Sequence, residues 1–282
     1  MTEYNVLVLS AGRRVELVQS FQKAADRLNI KSNIVAGDCS DTAPAIYLAN
    51  KKYRFPSINE PNYVDFIIDV CNKENIALVI PTIDTDLLLL SEKKEYVETN
   101  TNAKVLISNT QVIEICRDKK NTQRFFEDIG FKTPKIYTNE ELEKREFEFP
   151  LFIKPKSGSS SINAFKVNNI NELNTYRSII KEPIVQNFIE GEEYTVDVFL
   201  DFDSNIVTIV PRLRIATRSG EILKGKIIKD RDIIDDIKRL MKVLKPIGHI
   251  TVQLKKTKIG IQYIEINPRF GGGYPLAYEC EA

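Results

Sequence analysis

Two short stretches near the C-terminus, residues 249–254 and 263–267, alternate apolar and polar side chains with period two and are joined by a turn containing lysine and glycine. That pattern predicts a β-hairpin with two chemically different faces. Ile250, Val252 and Leu254 fall on one side of the first strand, with Thr251 and Gln253 on the other. On the second strand Ile264 and Ile266 are assigned to the core, and Glu265 and Asn267 to the opposite face. Gln253, Glu265 and Asn267 then converge on one polar face backed by an apolar one. A surface hairpin with a solvated polar face would alternate in the same way. Three converging hard oxygen ligands suit Mg²⁺, which takes a few protein oxygens together with phosphates and water. Arg269 follows directly and is placed to hold an anion beside such a metal.

Composition narrows the alternatives. The 282 residues suffice for two domains or one large one. A net charge of +1 gives no broad basic surface for nucleic acid. No apolar run approaches a membrane span, and no signal peptide is visible, so a cytoplasmic location is expected. Cys39, Cys71, Cys116 and Cys280 are far apart, without metal-site spacing, and read as reduced thiols. His249 is the single histidine, which argues against His-based triads and multi-His zinc as the main chemistry. It is expected at a strand start and is assigned no role.

Residues 1–115 alternate strand and helix. Strands are expected at 5–9, 34–36, 77–81 and 104–107, with helices at 15–28, 62–74, 85–97 and 110–116. This order predicts a doubly wound parallel sheet with ligand loops at the strand C-termini. The loop after the first strand has one glycine, Gly12, so the G-x-G-x-x-G dinucleotide fingerprint is absent despite Asp38 ending the second strand. Arg13 and Arg14 there either meet an anion at a helix N-terminus or belong to a solvated loop. Asp84 and Asp86 either contact a substrate amine or cap the next helix.

From about residue 117 the character becomes α+β, with Asp118 capping a helix closed by Gly130. Arg117, Lys119 and Lys120 crowd what reads as the first turn of that helix, where cations oppose its dipole. That arrangement hints at an anionic partner. Lys154 ends an apolar strand, sharing a face with Phe152, and precedes the small loop Ser157, Gly158, Ser159, Ser160, Ser161. Such a loop can close over phosphate, or simply connect, and it is no Walker loop. Val185 to Gly191 is another apolar strand that ends in polar side chains and exposed backbone, an edge that can read an adenine by backbone hydrogen bonds or be purely structural. Glu193 begins the next strand on the same face as Thr195 and Asp197, where it could accept from ribose hydroxyls or serve a structural role. A strand at 206–210 and a helix at 231–244 precede the hairpin.

Taken in order, Lys119, Lys154 with its Ser/Gly loop, Gln186 to Gly191, Glu193, Gln253 and the Glu265-x-Asn267-Pro268-Arg269 element resemble the ATP-grasp superfamily, most closely its carbamoyl-phosphate-synthase-like branch. The resemblance implies a Rossmann-like pre-ATP-grasp domain over 1–115. An ATP-grasp fold of two α+β subdomains would follow over 116–282, divided at about 188/189. It implies ATP and Mg²⁺, with Mn²⁺ as an alternative metal. Lys119, Lys154, Ser157, Gly158 and Ser159 would meet the phosphates, Gln186, Asn187 and Ile189 the adenine, and Glu193 the ribose. Gln253, Glu265 and Asn267 would hold the metal, with Arg269, Lys154 and Arg218 as catalytic groups. Arg212 and Arg214 are candidate substrate-carboxylate contacts by chemistry. The implied reaction activates a small carboxylate as an acyl phosphate for attack by an amine, with homodimers common among relatives. The alternatives are a nucleotide-binding protein without ligase activity and a single-core carboxyphosphate or carbamate kinase-like enzyme. Two features depart from the family pattern. Asn187 stands where many relatives carry glutamate, and the chain ends soon after Gly271-Gly272-Gly273, where similar proteins continue.

Overall fold

The computed structural model describes residues 3–156, 162–218 and 220–280. The first half runs β1 (Asn5–Leu9), α1 (Val15–Arg27), β2 (Ile34–Asp38), α2 (Ala45–Leu48), β3 (Lys51–Arg54), α3 (Tyr63–Lys73), β4 (Ile76–Pro81), α4 (Asp84–Asn100), β5 (Lys104–Val105) and α5 (Thr110–Arg117). Its strands form one parallel sheet in the order β3-β2-β1-β4-β5. Period-two alternation of buried residues in β1 feeds two cores. Leu7 and Leu9 join Ile67 and Leu90 on one face of the sheet, while Val6 and Val8 join Leu17 and Val18 on the other. The strand order reverses between β1 and β4, so the loops after Leu9 and Pro81 open the crevice where such sheets take ligands.

The second half continues with α6 (Lys119–Asp128), α7 (Asn139–Glu143), β6 (Leu151–Pro155), β7 (Phe165–Val167), α8 (Ile170–Ile179) and β8 (Pro183–Asn187). There follow β9 (Glu192–Leu200), β10 (Ile206–Arg218), β11 (Glu221–Ile227), α9 (Arg231–Leu244), β12 (Gly248–Thr257), β13 (Gly260–Asn267) and α10 (Tyr274–Tyr278). A three-stranded antiparallel sheet, β7-β6-β8, faces a five-stranded antiparallel one, β11-β10-β9-β12-β13, across a shared cleft. The large sheet is two-faced by parity. Tyr194, Val196, Val198 and Leu200 of β9 and Ile250, Val252 and Leu254 of β12 pack on α9 through Ile233, Ile237, Leu240, Met241 and Leu244. The residues between them, Glu193, Thr195 and Asp197 with Thr251 and Gln253, therefore point away from that core. Helix α9 reads as an amphipathic stripe at i, i+4, i+7, i+8 and i+11.

Several sequence expectations are adjusted by the structure. Ile264 does not enter the core: the β12–β13 register shifts after Gln253, where Leu254 pairs with Tyr263 and skips Ile264. This β-bulge sends Tyr263 inward, 1% exposed, and turns Ile264 into the cleft wall. Arg117 closes α5, where a cation is favourable, so only Lys119 and Lys120 sit in the first turn of α6. Asp118 caps that helix as expected, accepting from the backbone N–H groups of Lys120 and Asn121, and Gly130 follows it at φ +76°. The sequence reading passes over α2, β3, β11 and α10 and stops β10 eight residues early. Strand β3 is a charged, mostly exposed sheet edge without an apolar face, and β10 carries Arg212 and Arg214 where a core strand would carry aliphatics.

Candidate active site

A cleft of about 1120 Å³ runs between the two antiparallel sheets and on to the C-terminal ends of β1 and β4. It is lined by Lys119, Lys154, Gln186, Asn187, Ile189, Glu193, Gln253, Glu265, Asn267 and Arg269. The structure thus gathers into one cavity residues spread over 150 positions of sequence. Ser157, Gly158 and Ser159 lie outside the described residues. Arg218 is exposed near the tip of the β10–β11 hairpin and does not line the cleft.

The hairpin delivers the expected oxygen donors. Gln253 pairs with Glu265 and Thr251 with Asn267 across β12 and β13. Asn267 donates its Nδ2–H to Glu265 Oε1 at 3.1 Å, which turns its own amide oxygen away from the carboxylate. Among the described residues no group of three or more His, Cys, Asp or Glu is arranged to hold a metal. Any ion here would therefore take one carboxylate and amide oxygens from the protein. That set is hard and carries little charge, so it fits Mg²⁺ shared with phosphate oxygens.

Two lysines face this group. Lys154, 8% exposed at the end of β6, has its pKa pushed down to about 8 by burial, with the Glu265 charge opposing the shift and Lys119 adding to it. Lys119 donates to the Lys156 carbonyl at 3.3 Å, and burial lowers its pKa against the pull of Glu265 and Asp84. Desolvated cations of this kind gain most from an anionic ligand. Lys156 bonds Asp118 at 3.1 Å, tying the end of β6 to the start of α6 and holding both lysines on one wall.

At one end of the cleft, Asn187 accepts a hydrogen bond from the Tyr137 hydroxyl at 2.5 Å, and Lys255 donates to the Ile189 carbonyl at 3.0 Å. Glu193 is held 3.0 Å from Arg214 Nε. Arg214 also donates to the Thr195 hydroxyl and to the Gly220 carbonyl, so it braces the β10–β11 turn as well as the Glu193 carboxylate.

At the other end Arg269 makes a bidentate pair with Asp84, Nε to Oδ1 at 3.0 Å and Nη2 to Oδ2 at 2.8 Å. This joins the two halves of the molecule across the cleft. Asp84 is the first helical residue of α4, and Ile83, at the cap position, makes no side-chain cap bond. Neither aspartate of this loop is therefore the N-cap. Asp86, 1% exposed, accepts from the Ser10 hydroxyl at 2.5 Å, and burial raises its carboxyl to about 6. Arg14 donates to the Thr82 carbonyl at 3.3 Å, linking the two switch-point loops. Asp38 is occupied by the backbone N–H groups of Gly12 and Ser40, both at 2.8 Å.

Asp86 gives a direct stability test. Its folded pKa lies above the unfolded one, so the folded state holds the extra proton and loses stability as pH rises from about 4 to about 6. Asp86→Asn keeps the shape and removes the ionisation. The variant should be more stable than wild type near neutral pH by up to about 3 kcal/mol, with the gain vanishing towards pH ~4. Chemical denaturation at the two pH values measures it.

Arg212, Asp197 and His249 form a buried group behind the Gly271–Gly273 stretch that motif reading does not assemble. Asp197 ion-pairs with Arg212, and His249 Nε2 lies 3.4 Å from Asp197 Oδ1. The available signal was parity: all three lie on the polar face of adjacent strands, in line with Glu193, Arg214 and Gln253.

A parallel sheet with a switch-point crevice is joined to two antiparallel sheets whose shared cleft is lined by lysines, carboxylates and amides, an α/β architecture followed by α+β sheets. The chain belongs to the ATP-grasp family: residues 116–273 match the ATP-grasp domain, and residues 6–106 match the PylC-like N-terminal domain. It is 26% identical over 156 residues to carbamoyl-phosphate synthase of Methanobrevibacter smithii, covering 54% of this chain and 42% of that protein. With D-alanine–D-alanine ligase B of Clostridium perfringens it shares 25% identity over 268 residues, 84% of this chain and 87% of that one. Among solved structures, the ADP complex of an N5-carboxyaminoimidazole ribonucleotide synthetase superposes with a TM-score of 0.76 at 14% identity, over 95% of this chain and 71% of that one. The chain spans only 33–52% of the length of three of its curated relatives. No helix among the described residues is long and apolar enough to cross a membrane.

Proposed function

We propose that this protein is an ATP- and Mg²⁺-dependent ligase that activates a small-molecule carboxylate as an acyl phosphate and passes it to an amine, releasing ADP and phosphate. The observation that carries the reading is the placement of Glu265, Asn267 and Gln253 in register opposite two desolvated lysines, with Arg269 at the border of the parallel sheet. A carboxylate is a poor electrophile at neutral pH. Its activation asks for charge neutralisation and positioning rather than an acid–base dyad, and this cleft supplies cations and hard oxygens.

In this reading Gln186, Asn187 and the Ile189 backbone meet the base, and Glu193, steadied by Arg214, meets the ribose. Lys119 and Lys154 meet the phosphates, and Ser157, Gly158 and Ser159 are assigned to the same task. Glu265, Asn267 and Gln253 would hold Mg²⁺, which when bound supplies charge neutralisation on the phosphate oxygens. Arg269 swings from Asp84 to the phosphoryl group in transfer, leaving the Asp84 carboxylate for the incoming amine. A carboxylate oxygen of the substrate attacks the γ-phosphorus as the bond to ADP breaks. The amine then attacks the acyl carbon, phosphate leaves with the bonding pair, and the ammonium proton passes to solvent. A homodimer, taken from the family resemblance, and a cytoplasmic location, taken from the sequence reading, are part of the same proposal.

Hydroxylamine intercepts acyl phosphates without any knowledge of the natural amine. Incubating the protein with MgATP, hydroxylamine and single carboxylates should give an ATP-dependent hydroxamate of one acid or a narrow class. ATP binding without hydroxamate from any acid would count against the ligase reading.

A further inference from the structure

Residues 269–274 connect the metal-binding hairpin to α10, and three side chains from three adjacent strands grip them from below. His249 of β12 stacks on Phe270, with ring centroids 4.6 Å apart and planes at 15°, and meets Tyr274 edge-on at 5.5 Å. Its Nδ1 lies 3.3 Å from the Arg269 carbonyl oxygen, and its Nε2 faces Asp197 of β9. Asp197 ion-pairs with Arg212 of β10, which is 1% exposed. Arg212 in turn packs closely against Gly273, where a Cβ would stand 2.1 Å from Nη1.

This network is an expensive way to fill space. Arg212 Nη1 is buried without a hydrogen-bond partner, and Asp197 Oδ1 has only the long His249 contact. A buried ion pair with unsatisfied atoms is weak as a source of stability, and apolar packing of the same volume commonly does as well or better. Its geometry does something apolar packing would not. The polar contact from this group to the main chain of Arg269 is made by the His249 ring, which the stacked Phe270 and the edge-on Tyr274 hold in place. The Arg269 guanidinium, at the other end of the same residue, is held by Asp84.

We propose that His249, seated between Phe270 and Tyr274, is a positioning residue that fixes the Arg269 main chain so that the guanidinium reaches the phosphoryl group in transfer. The inference rests on the assignment of Arg269 made under the proposed function. In this role the ring is the Nδ1–H tautomer, donating to the Arg269 carbonyl. Asparagine can place an amide donor at the Nδ1 position, glutamine at the Nε2 position, and phenylalanine keeps only the stacking on Phe270.

The test is calorimetric binding of MgADP and of magnesium complexed with a non-hydrolysable imido analogue of ATP to the full chain. The ratio of the two affinities isolates contacts to the third phosphate. Arg269→Met should lower that ratio about tenfold, the scale of one charge-assisted contact. His249→Phe should lower it to a similar extent with MgADP affinity unchanged, and His249→Asn should keep most of it. A merely structural role would weaken both nucleotides together and leave the ratio intact. Retention of the wild-type ratio in His249→Phe, while Arg269→Met loses it, overturns the positioning role. Retention in Arg269→Met itself overturns the Arg269 assignment, and this inference with it. If His249→Phe does not fold, the comparison of His249→Asn with His249→Gln decides: the ratio must survive better in the asparagine variant, and equal or reversed behaviour refutes the proposal.

Discussion

Glu265→Ala should abolish substrate-dependent ADP release, lowering it by at least about 100-fold, the scale seen when one preorganised electrostatic group is removed from a site that works by charge stabilisation. Glu265 is the single carboxylate among the three assigned metal ligands, so no neighbour replaces its charge. Its loss should also be legible without turnover. The Glu265 charge opposes the downward shift of both Lys154 and Lys119. Removing it lets the Lys154 pKa fall further below about 8, which heteronuclear NMR of the lysine side-chain amine can follow. The fold should survive, because Glu265 points into the cleft and its hydrogen bond from Asn267 is local. A variant that folds, binds MgADP with wild-type affinity and turns over normally would remove Glu265 from the site.

Lys154 carries the second large effect, and its sign follows from burial. In the ligand-free protein the ammonium titrates near 8 because it is desolvated at the end of β6. A phosphate favours the charged form, so nucleotide binding must raise that pKa. Below about pH 8 the lysine is already protonated and affinity is insensitive to its titration. Above it, binding takes up a proton, and affinity should fall by up to about tenfold per pH unit until the pKa of the complex is reached. Lys154→Met should lose this pH dependence and weaken MgADP binding by about 10- to 100-fold near neutral pH, the scale of one charged hydrogen bond. Calorimetry in two buffers of different ionisation enthalpy counts the proton directly. Wild-type affinity that is flat from pH ~7 to ~9.5 would mean that the phosphates do not meet Lys154.

How much of this was legible in the sequence depends on whether local pattern or long-range packing sets the feature. Alternation located the hairpin faces because a strand's side-chain period is fixed by backbone geometry. Helix α9 and the Asp118 cap were equally readable, since both are local. The Ile264 error arose because a bulge breaks the period without a sequence mark such as glycine. The Asp84–Arg269 pair joins residues 185 apart and depends on how the two sheets meet. Asp197 and Arg212 were visible as charges in otherwise apolar strands, but that Asp197 lies between Arg212 and His249 follows only from the order β10-β9-β12. Motif order carried the residues assigned to the nucleotide, whereas no motif marked the switch-point loops of the first sheet that complete the cleft.

The most direct measurement of the central claim is ADP release from MgATP against a panel of amino acids and small carboxylates, each with and without amines, with Glu265→Ala run alongside. Stimulation by one acid or a narrow class, abolished in the variant, is the predicted result and names the first substrate. Tight MgATP binding with no stimulated release from any member of the panel would contradict a ligase and leave a protein that binds the nucleotide without spending it.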